Sequence, residues 1–249
     1  MDFTEQVAIV IGGSGGIGQA TVRMLTERGA NVMVGYYQNA QAAEALVAES
    51  QKTRGNAVAQ QVDIRSRESV ESLVEATIGQ WGKIDILINC AGISSFSSFS
   101  DISLEQWQNM ISINLEGIFH ACKAVLRPMM RRHYGRIVNV SALHGLAGGP
   151  MQADFSASTG GIFGLTRSLA RESAAWEITV NAVAAGLITT NMLNVLPEQE
   201  REWGERIMAL RRSGKPEEAA AAIVFLASPL ASYITGQVLS VDGGWRMAQ

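Results

Sequence analysis

A short apolar strand that runs straight into a glycine-rich turn and then a helix constrains this chain more than any other feature. The stretch "VAIVIGGSGGIGQATVRML", residues 7–25, places Gly12, Gly16 and Gly18 between a β-branched run and a helical pattern. A run apolar on both faces belongs inside a covered parallel sheet, and a turn this tight calls for positive φ. The helix starting near Ile17 then offers free N–H groups and the positive end of its dipole. Glycines at this spacing make either a tight connection alone or a cradle for a pyrophosphate. A strand before and a helix after favour the cradle.

The rest of the chain repeats the alternation. Runs at 31–36, 56–63, 84–90, 135–142, 178–185 and 236–242 read as further strands, most of them apolar without strict alternation. Helical patterns fall between them, for example at 18–29 and 69–82, the first closed by Gly29. Strand and helix in alternation predict right-handed crossovers and a doubly wound parallel sheet flanked by helices, the Rossmann-type α/β class. No Pro- or Ser-rich linker, charge block or repeat divides residues 1–249, so one domain is expected. The least regular segment, 188–214, follows a strand end and is expected to form a mobile helical lid over the pocket.

Composition narrows the function classes. A hydrophobic share of 47% with 25 glycines fits a well-buried globular protein. A net charge of −3 gives no basic stripe for nucleic acid. Cys90 and Cys122 make neither a disulfide framework nor a metal set, so a reducing cytoplasm is expected. The first residues carry acids and lack a basic stretch leading into an apolar core, so they are not read as a signal peptide. No run is long and apolar enough to cross a bilayer, and no membrane association is expected.

Two other places support a nucleotide. Asp63 ends the third strand run, where its carboxylate either accepts from an adenine amino group or caps the following helix. "NCAG", 89–92, ends the fourth with small residues, where a cofactor would lie flat at the sheet edge. The second strand ends in "GYYQN", 35–39, without the Asp or Glu that pairs with a ribose 2′-hydroxyl in NAD binders. Removing that acid permits a 2′-phosphate, which Ser14 and the polar stretch from Tyr36 to Asn39 could hydrogen-bond. NADP(H) is therefore expected over NAD(H).

With the glycine turn, "NCAG", "INLEGIF", "GRIVNVSA", "GLTRSLA" and "ITGQVLSVDGG" in this order, the chain resembles the short-chain dehydrogenase/reductases. Within them it is most similar to 3-oxoacyl-acyl-carrier-protein reductases and related ketoreductases, from about residue 5 to 245. The resemblance implies cofactor contacts at Gly12, Ser14, Gly16, Ile17, Gly18, Tyr36, Asp63, Asn89, Ala91, Gly92, Gly186 and Ile188. It implies that Asn114 holds a proton-relay water. It also implies a tetramer built on two long helices near 104–130 and 153–176, and an acyl or polyketide-like ketone substrate, carried on an acyl carrier protein or free.

The departures bear most on function. The family's catalytic Ser follows the fifth strand, and a Tyr-x-x-x-Lys lies on the next helix. Anchoring on "GRIVNV" and "GLTRSLA" puts Ala142 at the Ser, Phe155 at the Tyr and Thr159 at the Lys. No Tyr-x-x-x-Lys occurs in any frame, since Tyr36, Tyr37, Tyr134 and Tyr233 are followed four residues on by Ala40, Gln41, Val138 and Gln237. Phe155 removes the proton donor, Thr159 the charge that lowers its pKa, and Ala142 the hydrogen bond to the oxyanion. Among substitutes, Ser141 is expected to point to the opposite face of its strand and Asp154 to be a solvated or interface acid. Cys90 has no electropositive setting to make it reactive. His144, just beyond the strand, is either a surface residue or the best replacement acid. Three readings stay open: a non-catalytic partner of an active homologue, an enzyme with other chemistry in the same pocket, and an experimentally silenced ketoreductase.

Overall fold

The computed structural model describes residues 1–247. Its seven strands are β1 (Val7–Ile11), β2 (Asn31–Tyr36), β3 (Asn56–Gln61), β4 (Ile86–Asn89), β5 (Gly135–Ala142), β6 (Ile178–Ala185) and β7 (Val238–Val241). They form one sheet in the order β3-β2-β1-β4-β5-β6-β7, with every neighbouring pair parallel. The order reverses between β1 and β4, and a crevice opens beyond their carboxyl ends.

Both faces of the sheet are covered, which is why the strand runs lack polar alternation. Ile9 and Ile11 of β1 and Leu87 of β4 point into one core. That side is covered by α3 (Arg67–Trp81), α5 (Gly117–Arg132) and α7 (Ala153–Ser173). Ala8 and Val10 of β1 and Ile86 and Ile88 of β4 point into the other core. There they meet α1 (Gly16–Glu27), α2 (Ala40–Ser50) and α9 (Pro216–Ala227). Burying a Val, Leu or Ile side chain contributes about 1.5–3 kcal/mol, and β1 does so at Val7, Ile9, Val10 and Ile11.

The β1, β2, β5 and β6 runs end where the amino-acid pattern places them, whereas three other strands are shorter than expected. β3 stops at Gln61, because pairing with β2 ends at Tyr36. Val62 N–H still donates to Tyr36 O, and the chain then turns with Ser66 N–H on Asp63 O. Asp63 thus lies past the strand rather than at its end. β4 and β7 likewise lose the flanking residues that have no ladder partner.

The first long helix is not continuous. α4 (Leu104–Ile111) passes through a π-helical turn at Ser112–Glu116 before α5 resumes. Such wide turns inside helices are rare and cluster at functional sites; this one carries Asn114. Beyond β6, residues 188–214 form a 3₁₀ turn at Asn191–Val195 and then α8 (Glu198–Ile207). A four-residue helix, α6 (His144–Ala147), follows β5 directly.

Candidate functional site

The crevice at the strand reversal is a cleft open to solvent. It receives side chains from the ends of β4, β5 and β6, from α6 and α7, and from the segment after β6. Its floor meets the glycine turn.

That turn leaves room for nothing but backbone. Gly12 has φ +80°, and a Cβ there would lie 2.5 Å from the backbone nitrogen of Ala91. A Cβ on Gly18 would lie 2.1 Å from the carbonyl oxygen of Gly12. The loops after β1 and β4 are thereby pressed together at the crevice. No side chain caps α1 at Gly15, and among the described residues the N–H groups of Gly16, Ile17 and Gly18 donate to no protein acceptor. Uncapped N–H groups at a glycine-lined helix start suit a phosphate. The residues present therefore fit a dinucleotide.

The other expected cofactor residues divide. Ile17, Ala91, Gly92, Gly186 and Ile188 line the cleft. Asn89 does not: it is buried, and its Nδ2 donates to Asn139 Oδ1 at 2.8 Å. Ser14 lies in the turn, half-buried, its carbonyl accepting from Gln19 Nε2. Tyr36 is half-buried and packs on the α1–α2 core. Asp63 caps no helix, since Ser66 takes that role for α3. Its carboxylate is instead gripped by Arg65, with Nη2 at 2.7 Å and Nε at 2.9 Å. This pairing holds the Asp63 carboxyl below its usual range. Arg65 also donates to Tyr37 Oη at 2.9 Å, which sets a guanidinium beside the end of β2. Arg65 escaped the sequence reading because it comes from the β3–α3 loop, 28 residues beyond Tyr37.

Ala142, Phe155 and Thr159 come together on the cleft wall, with Phe155 and Thr159 one helical turn apart on α7. Thr159 offers no proton to a ligand: its Oγ1 donates back to Phe155 O at 2.6 Å. Ser141 differs from expectation, since it too lines the cleft, yet its Oγ donates to Thr159 O at 3.0 Å. Asn114 lines the cleft, but its side chain clamps a neighbouring loop, accepting from Ile93 N–H at 2.8 Å and donating to Ile93 O at 2.9 Å.

Asp154 is a correction. It is wholly buried rather than solvated. Its oxygens accept from Ser95 Oγ and Gln106 Nε2, each at 2.9 Å, and from Phe155 N–H at 2.8 Å. The preceding turn buries it because α4 and the loop after β4 pack on that side of α7.

His144 lines the cleft and is half-buried. Its ring stands 5.6 Å from that of Phe155 and 6.1 Å from that of Trp245, which in turn meets Trp203 of α8 at 6.1 Å. Burial lowers its pKa, so the imidazole is neutral near pH 7. Burial pushes the Cys90 thiol up to about 12, and a thiol so protonated is inert. Trp245 had no sequence signal; it is placed by the turn after β7, where Gly243 and Gly244 have φ +63° and +78°.

A family model described as enoyl-(acyl carrier protein) reductase matches residues 12–246. A 3-oxoacyl-[acyl-carrier-protein] reductase of Synechocystis sp. is 42% identical over 246 residues, 98% of each chain.

The chain belongs to the short-chain dehydrogenase/reductase family.

A second family member, the corresponding reductase of Thermotoga maritima, is 38% identical over 244 residues, 98% of this chain and 99% of its own. Among solved structures, that of levodione reductase superposes with a TM-score of 0.92 at 30% identity, covering 97% of this chain and 98% of its own. The chain is thus a ketoreductase-like short-chain dehydrogenase/reductase whose cleft carries Ala142, Phe155 and Thr159. No helix among the described residues is long and apolar enough to cross a membrane.

Proposed function

We propose that this protein binds NADP(H) and an acyl-type ketone but does not turn them over by the family's proton relay, and that it serves as a non-catalytic partner of an active ketoreductase. One observation carries the reading: Ile17, at the uncapped helix start that forms the phosphate cradle, lines the same cleft as the three substituted positions. The turn residues Gly12, Ser14, Gly16, Ile17 and Gly18 would hold the pyrophosphate, and Ala91, Gly92, Gly186 and Ile188 the nicotinamide end. Bound NADPH would supply a hydride. What the chain lacks is a group to protonate the resulting alkoxide. General acid catalysis is worth roughly 10²- to 10⁴-fold and an oxyanion donor on the order of 10²- to 10³-fold. The missing acid after β2 and the Arg65 guanidinium beside Tyr37 support the phosphorylated cofactor.

Ile188, Thr190, Met192, Leu193 and Leu196 of the 188–214 segment line the cleft, which supports its role as a lid. The tetramer or hetero-oligomer would pair through α4–α5 and α7; exposed Leu104, Trp107 and Phe119 on the first of these support that contact. We place the protein in the cytoplasm. A second reading rests on His144, a neutral imidazole facing the cleft, which could carry a proton for an atypical reduction or a non-redox reaction.

The test titrates NADPH into the protein by Trp fluorescence, then adds acetoacetyl thioester and follows nicotinamide absorbance. Quenching without oxidation is expected, together with an active homologue on purification from the native host. Failure to bind either dinucleotide ends both readings. Product formation abolished by His144→Ala selects the second.

A further inference from the structure

Nearly every side-chain hydroxyl that lines the cleft has its proton committed to the main chain. Ser141 Oγ donates to Thr159 O and Thr159 Oγ1 to Phe155 O. Thr190 Oγ1 donates to Ile188 O at 3.4 Å. Ser94 differs. Its oxygen accepts from Gln152 Nε2 at 3.3 Å, and among the described residues its own O–H donates to nothing.

The loop that carries Ser94 is held at three consecutive residues. Asn114 grips both the N–H and the carbonyl of Ile93. Gln152, itself buried, takes Ser94 Oγ and reaches Ser95 O at 3.1 Å. Asp154 receives Ser95 Oγ on both oxygens at 2.9 Å. A hydroxyl has one proton and two lone pairs. With one lone pair occupied by Gln152, the proton is left to point elsewhere, and the fixed loop limits where. Side chains such as Phe155, Leu187 and Leu193 make much of the remaining wall apolar. A donor in such a setting suits a neutral oxygen acceptor: a charged ligand group would lose its hydration without a counter-charge.

We infer that Ser94, oriented by Gln152, donates the hydrogen bond that holds the ketone oxygen of a neutral, apolar-chain ligand in this cleft. This rests on the ketone-binding reading above. Ser94 takes over recognition of the carbonyl without restoring the proton relay: its hydroxyl, with no cation to lower its pKa and no relay to resupply its proton, is a far poorer general acid than a tuned Tyr.

The test compares two probes on the NADP⁺-saturated protein by calorimetry: the acetoacetyl and the butyryl thioesters of N-acetylcysteamine, which differ by the ketone alone. One neutral hydrogen bond corresponds to on the order of 3- to 10-fold in affinity. The unaltered protein should prefer the acetoacetyl probe by that factor, and the infrared band of its ¹³C-labelled ketone should move to lower frequency on binding. Ser94→Ala should abolish both effects while leaving butyryl affinity and the melting temperature unchanged, and Ser94→Thr should restore them. Gln152→Ala should weaken the preference. The assignment is overturned if neither probe binds, if the unaltered protein shows no preference, or if Ser94→Ala keeps it. NADP⁺ affinity is measured alongside on each protein. Tight cofactor binding without ketone preference removes only the Ser94 assignment, whereas absent cofactor binding removes the wider reading.

Discussion

Replacing Ala142, Phe155 and Thr159 together by Ser, Tyr and Lys should raise ketoreduction well above that of the unaltered chain. All three positions face one cleft, so the new groups would converge there. Phe155→Tyr adds a hydroxyl to a ring already on the cleft wall and supplies the acid, worth about 10²- to 10⁴-fold. Ala142→Ser supplies a donor to the oxyanion, on the order of 10²- to 10³-fold. Independent action would give roughly 10⁴- to 10⁷-fold, but groups that act as a unit do not add. We therefore expect a gain of at least about 10³-fold in kcat/KM over the parent. The Lys has a cost. Thr159 is buried, and its replacement removes one of the two side-chain hydroxyls on the Phe155 carbonyl, Ser158 Oγ remaining, while placing an ammonium near apolar walls. Without cofactor the triple variant should lose on the order of 1–3 kcal/mol, recovered in part when a dinucleotide binds. The assay follows reduced nicotinamide with acetoacetyl thioester, alongside urea melts with and without NADPH. A triple variant that folds, binds NADPH as tightly as the parent and gains less than 10-fold would refute the claim that these three positions alone separate this cleft from a working one.

Other expectations follow from individual contacts. Gly18→Ala puts a Cβ 2.1 Å from Gly12 O; overpacking of this kind costs about 1–3 kcal/mol, and NADPH affinity should drop at least about 10-fold in a fluorescence titration, while unchanged affinity would place the cofactor elsewhere. Asp154→Ala leaves Ser95 Oγ and Gln106 Nε2 without their acceptor; urea denaturation should show a loss of about 1–3 kcal/mol, with Asp154→Asn milder, and a neutral result for Ala would contradict the buried network. The pKa of His144 is lowered in the folded protein by burial. The unfolded chain therefore takes up a proton near pH 6.5 that the folded one refuses, and stability falls as pH drops below that value. His144→Phe should flatten this decline by at most about 1.4 kcal/mol per pH unit; identical pH profiles would mean that the ring is solvated.

The fold was largely legible because both faces of the strands are covered. A run such as "ITVNAVAA", buried at all eight positions, has one stable place in a layered α/β protein. The glycine turn was legible for a related reason: Gly12 and Gly18 sit where backbone meets backbone, and no other residue fits. Strand ends were less clear where flanking residues are apolar enough to continue but have no ladder partner, as at Asp63. The cleft was legible in its absences. Ala142 has no hydroxyl, Phe155 no phenolic proton and Thr159 no ammonium, whatever the conformation.

What each remaining polar group does was settled only in three dimensions. Asp154 reads as a surface acid until residues 48 and 59 positions away close over it. Ser141 lines the cleft yet its hydroxyl is turned to the carbonyl of Thr159, while that of Ser94 donates to nothing among the described residues. Arg65 reaches Tyr37, and Trp245 reaches His144, across chain separations that no local pattern records. Side-chain chemistry belongs to the sequence. The direction in which a donor points depends on which acceptors the folded chain brings within about 3 Å of it, and only packing between distant segments decides that.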